Sequence, residues 1–323
     1  MAPITVIAHP WPQFRRELET LYAPAAKATR SKLRQVLSIL EGLGVATVAD
    51  IGPELVHRFV ASRPPGQSPH TLKSLLSVLR AIASHAEEMG YLAASPFRLR
   101  RMKISRLVRV GPPAGKRFYA AAEVRRVLDF LAREIELKEG WARWRARRLY
   151  ALTATVAYCG TRAREAQRSH VADYDLVNRV FSIKPHDGRL KTAASEAPIA
   201  IPPALVPILE AWLEHRLDHP EGMTLPAEVP WMFPGALRKS PWVHAASGHK
   251  PVDKLKAVAA RAGVPGMTFQ ALRRSWCTRA EGLGIPQSMI TRQARHADES
   301  TTRRYYQQRD IDALRAAVDG FTY

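Results

Sequence analysis

The stretch FRLRRMKISRLVRVGPPAGKR, residues 97–117, carries eight Lys or Arg, no acid and a Gly-Pro-Pro-Ala-Gly break. Like charges at this density repel one another and resist burial without counter-ions, so the segment is expected outside any core, as an open basic linker over 98–117. The chain should therefore fold as two bodies. Its 323 residues and 46% hydrophobic content suffice for a core in each.

The charge is not spread evenly. Lys and Arg against Asp and Glu number 11 to 7 in residues 1–99, 15 to 5 in 100–149, and 23 to 17 in 150–323, so +10 of the +20 net charge falls in fifty residues. A footprint this polarised points to a polyanion, because each phosphate neutralised by Lys or Arg releases condensed counter-ions. Arg100, Arg101, Lys103, Arg106, Arg109, Lys116 and Arg117 are the candidates for the DNA backbone. Cys159 and Cys277 form neither a metal-ligand pattern nor a disulfide framework, which fits a reducing cytoplasm. The N-terminus lacks a signal-peptide pattern, and no apolar run reaches the length of a membrane span.

Before the linker, Leu33, Val36, Leu37, Leu40 and Leu43 recur at helical spacing, and Ser68-Pro69 opens a long helix whose Leu72, Leu75, Leu76, Leu79, Ile82 and Ala86 share a face. Residues 10–97 read as an all-helical domain. Residues 118–323 mix helical patterns with two short β-rich runs, VFSI (180–183) and APIAI (197–201), and so read as an α-rich domain with a small sheet. IDALRAAVDGF (311–321) has the pattern of a short amphipathic helix, able to dock on a neighbour or to pack on its own domain.

Four segments concentrate chemistry. AYCGTRARE (157–165) ends an apolar helix at Gly160 and follows it with Arg162, Arg164 and Glu165; GRLKTAASEAPIAIP puts Lys191 on a hairpin; TFQALRRSW (268–276) sets Gln270 and Arg273 one helical turn apart; and ARHADESTTRRYY (294–306) holds His296 and two adjacent tyrosines. In this order they resemble the tyrosine recombinases, the family of phage integrases and related site-specific recombinases. Gly160-Thr-Arg162-Ala-Arg-Glu165 matches its Gly-x-Arg-x-x-Glu, Lys191 its hairpin lysine, Gln270-Ala-Leu-Arg273 its His-x-x-Arg box and His296 the histidine of its Gly-His or similar dipeptide. Tyr305 stands nine residues after that histidine.

The resemblance implies a mainly α fold with a small β-sheet, built from a helical core-binding domain and an α+β catalytic domain. It also implies a roster of roles. Arg162 and Arg273 would clamp the scissile phosphate, Lys191 would protonate the leaving 5′-oxygen, His296 would hydrogen-bond the phosphate, Tyr305 would attack it, and Glu165 would buttress the cations. Guanidinium forks suit the phosphate, being bidentate and always charged. Arg164, Arg274 and Lys184 are read as structural or backbone-contacting neighbours. Gln270 departs from the family's histidine: it can donate a hydrogen bond but cannot shuttle a proton.

The function implied is site-specific recombination of double-stranded DNA through a 3′-phosphotyrosyl intermediate, with no metal and no cofactor, by a chain that is a monomer or dimer when free and a tetramer on paired sites. A helical domain beginning within about ten residues of the N-terminus leaves no room for an arm-binding domain, so a simple core-type site is expected. Two alternatives stand beside this: a catalytically impaired DNA-binding protein on the same fold, prompted by Gln270, and strand relaxation like that of a type IB topoisomerase.

Overall fold

The computed structural model describes residues 9–108, 118–186, 196–218, 228–236, 240–243 and 250–295, together with 315, 318, 319 and 321. The chain divides into two compact units, residues 1–115 and 116–323.

The first unit is helical. α1 (Trp11–Leu21), α2 (Lys27–Gly42), α3 (Pro53–Ala61) and α4 (Pro69–Glu88) enclose a core of Trp11, Phe14, Leu18, Leu37, Phe59 and Leu76. α4 starts where its sequence predicts: the Ser68 hydroxyl accepts the Thr71 amide at 3.2 Å, and Pro69 takes the first turn, where its missing N–H costs nothing. The basic segment differs from the open linker expected over 98–117. Residues 100–102 form a 3₁₀ turn, and α5 (Ile104–Leu107) follows, with Met102, Ile104 and Val108 buried in the unit's core. The apolar residues interleaved among the cations turn inward, while Arg100, Arg101, Lys103 and Arg106 remain exposed. Arg109, Lys116 and Arg117 lie outside the described residues.

The second unit is organised around α7 (Gly140–Cys159), which packs on α6 (Ala121–Glu136), α9 (Val206–His215), α10 (Pro251–Arg261) and α11 (Phe269–Gly282). Every residue from Ala151 to Cys159 is buried. A helix covered on all sides needs small side chains to admit its neighbours, and Ala-Leu-Thr-Ala-Thr-Val-Ala supplies them. Beside it lies an antiparallel sheet in the order β1 (Tyr174–Asp175), β2 (Val180–Ile183), β3 (Ala197–Ala200), with Phe181 opposite Ile199. α8 (Ala163–Gln167) precedes the sheet, and α12 (Gln287–Ala294) follows α11. Of the C-terminal segment, Val318 and Phe321 are buried in this unit's own core, where the Phe321 ring lies 5.4 Å from that of Trp276. Arg179 and Asp319 form an ion pair alongside.

Gly160 closes α7 in the left-handed region at φ 64°, ψ 20°. A Cβ added there would stand 2.6 Å from two atoms of the Trp276 indole, so the backbone conformation and the space both call for glycine. We predict that Gly160→Ala destabilises the second unit by about 2–4 kcal/mol, the sum of left-handed strain and overpacking, measured by urea denaturation. Phe321→Ala should cost about 3–5 kcal/mol in the same assay and alter the tryptophan emission of the native state.

Candidate active site

The buried end of α7 projects the chain into the interior and delivers Arg162 as the N-cap of α8. Glu165, three residues on, accepts the Arg162 backbone amide at 2.7 Å and its guanidinium Nη1 at 3.0 Å. This is the carboxylate half of a capping box, doubled by an ion pair. The Arg162 Nη2 donates to the Arg295 carbonyl at 3.1 Å. With its side chain 35% exposed, Arg162 is held from behind and still open to a ligand.

Arg273 enters from α11, whose N-cap Thr268 accepts the Ala271 amide at 3.1 Å. It is 8% exposed. Its Nη1 donates to the Gly160 carbonyl at 2.8 Å and its Nη2 to the Ala294 carbonyl. These bonds occupy two of its five N–H donors. Desolvation, followed by repulsion from Arg162, lowers the Arg273 guanidinium to about 10. A cation this unwelcome in its surroundings gains from an arriving anion.

The two arginines thus rest on adjacent carbonyls of one turn, the C-terminal end of α12. Arg295, next in sequence, adopts φ 51°, ψ 54°, and its guanidinium pairs with Glu165. Two guanidinium groups therefore pair with one carboxylate, whose charge also acts on Arg273. For Glu165, burial raises the pKa, but the Arg295 charge and the hydrogen bonds from Arg295 and Arg162 outweigh it, and the group stays below the usual range. Gln293 completes the frame. Its amide oxygen accepts the Ala200 amide at 3.1 Å, and its nitrogen donates to the Ala200 carbonyl at 2.8 Å and the Cys159 carbonyl at 3.4 Å, tying α12 to β3 and to the end of α7.

The remaining sequence-predicted residues divide. Gln270 sits in the first turn of α11, exposed, one turn before the buried Arg273. Lys191, His296 and Tyr305 lie outside the described residues. Lys184 pairs with Asp173 at 3.8 Å. The same carboxylate bonds His186 at 2.5 Å, and the His186 ring stacks on His170 at 3.5 Å, which steadies the base of the β2–β3 hairpin. Arg164 is exposed. Among the described residues no group of His, Cys, Asp and Glu is arranged to hold a metal ion, and no helix is long and apolar enough to cross a membrane. Sequence reasoning missed Gln293 and Arg295. Both read locally as helix-end residues, and their partners stand more than ninety positions away.

The described geometry sets the Arg162 and Arg273 guanidinium groups on backbone carbonyls at the end of α12. Among solved structures, the chain superposes on the Tn1549 transposon integrase in complex with circular intermediate DNA with a TM-score of 0.69 at 16% identity, over 96% of this chain and 99% of that one. It also superposes on the XerH site-specific recombinase bound to a palindromic difH substrate, with a TM-score of 0.63 at 14% identity, over 91% and 92% of the two chains. At such identities the likeness shows a shared fold. No curated protein sequence matches significantly. The sequence model of the Phage integrase family matches residues 118–311, more than half of the chain. The chain belongs to the phage integrase family.

Proposed function

We propose that the protein is a site-specific DNA recombinase that cuts and rejoins strands through Tyr305. The observation that carries this reading is the pair Arg162 and Arg273, fixed on adjacent carbonyls of the turn that leads directly into His296. A phosphodiester attacked by a phenol gains negative charge on its non-bridging oxygens, and cations already in place there lower the barrier without reorganising.

The Tyr305 hydroxyl, with a free pKa of about 10, attacks phosphorus as it gives its proton to solvent water; the 5′-oxygen departs with a proton from Lys191, leaving a 3′-phosphotyrosine. His296 hydrogen-bonds the phosphate. Gln270, on the exposed start of α11, donates a hydrogen bond and takes no part in proton transfer. The phosphotyrosine conserves the energy of the broken bond, and a partner strand's 5′-hydroxyl reverses the chemistry to join the exchanged ends. The exposed Arg100, Arg101, Lys103 and Arg106, with Arg109, Lys116 and Arg117, track the duplex backbone. Exchange between two duplexes requires several protomers, which we take to be four on paired sites, acting on cytoplasmic DNA. The superposition on recombinases whose structures contain DNA supports the partner.

The test is a nicked suicide duplex carrying the DNA that the protein protects in the replicon encoding it. Wild type should form a covalent adduct; Tyr305→Phe should abolish it and Tyr306→Phe should not, because in a helix neighbouring side chains point about 100° apart. A wild-type protein that shifts this DNA without forming an adduct would establish the impaired, binding-only alternative. Relaxation of supercoils without recombination of paired sites would favour the topoisomerase-like one. Arg162→Lys and Arg273→Lys should each slow cleavage by about 100-fold or more, in single-turnover gels, since a lysine cannot reproduce the fork. Gln270→His should cleave as fast as wild type or faster, and a clear loss would mean that the amide is specifically required.

A further inference from the structure

Arg295 is one of two non-glycine residues with positive φ among the described residues, the other being Arg179. A residue with a Cβ is strained in the left-handed region, a strain that glycine would avoid. An arginine at such a position implies that its side chain returns something. Its side chain is only 4% exposed, against 35% for that of Arg162, so it offers no open fork to a ligand. Instead it pairs with Glu165, while its carbonyl accepts Nη2 of Arg162. Arg295 therefore grips Arg162 twice, once directly through the peptide and once through the shared carboxylate.

We propose that Arg295 is a positioning residue of the recombination reaction, an internal cation whose pairing with Glu165 locks the Arg162 fork and the turn entering His296 into one rigid piece. The inference rests on the assignment of Arg162 to the scissile phosphate. Without the Arg295 guanidinium, Glu165 keeps Arg162 as its one guanidinium partner among these bonds and is free to draw it away from the phosphate. Without the Arg295 turn, the carbonyl that orients Nη2 is no longer fixed relative to the Ala294 carbonyl that orients Arg273. The residue acts on chemistry through geometry and contributes no contact to DNA.

The experiment compares Arg295→Gly, which keeps the backbone conformation and removes the guanidinium, with wild type on the same suicide duplex. Cleavage in a single turnover should fall by about 10- to 100-fold, the scale of a misplaced catalytic group, with the dissociation constant for DNA changed less than about 3-fold. Guanidinium ion added at tens of millimolar should recover part of the rate in Arg295→Gly, and none in Arg162→Lys. Should Arg295→Gly fold poorly, Arg295→Asn, which also tolerates the left-handed conformation and removes the guanidinium, should show the same fall in rate at nearly constant DNA affinity. Wild-type cleavage by Arg295→Gly, or a loss of DNA affinity matching the loss of rate, overturns the inference. A wild-type protein that forms no adduct at Tyr305 instead overturns the function on which it rests.

Discussion

Glu165 accepts Arg162 through both backbone amide and guanidinium, and Arg295 through its guanidinium, so one buried carboxylate ties the loop after α7 to the end of α12. Removing one partner of such a pair leaves the other charge uncompensated in a poorly solvated place, which costs far more than breaking a surface ion pair. The balance is also deliberately incomplete. With Arg273 close by, three cations stand near one anion, and Arg273 is depressed first by its burial and then by the Arg162 charge. In the function proposed above, the scissile phosphate supplies the missing negative charge and its transition state more of it, so that the electrostatic shortfall of the free protein becomes stabilisation at the moment of reaction.

Preorganisation of this quality depends on what stands behind the arginines. α7 is buried on all sides over its last nine residues, and Gly160 lies against the Trp276 indole of α11. The carbonyl exposed by that turn is the one that receives Arg273. Core packing and the seating of Arg273 therefore share atoms. Trp276 also receives Phe321, which makes the C-terminal segment part of the same support.

The sequence makes some of this plain and hides the rest for physical reasons. α4 is legible because its Ser-Pro cap and leucine face are local, and Arg162, Glu165 and Arg273 stand out because the short motifs around them resemble those of the tyrosine recombinases. The inward turn of Met102, Ile104 and Val108 is obscured by the cations between them, whose long side chains reach solvent while the backbone packs. β1 has two residues, too few to show alternation. Gln293 and Arg295 are invisible in isolation, since nothing near them in the chain reveals that β3 and Glu165 will be their partners. Contacts of that range are decided by the fold.

In the proposed reaction the cationic frame serves a nucleophile at Tyr305. The most direct measurement is peptide mapping by mass spectrometry of the trapped protein–DNA adduct after proteolysis and nuclease digestion. The nucleotide remnant is expected as a phosphodiester on Tyr305. A remnant on Tyr306, or on any other residue, would contradict that reaction.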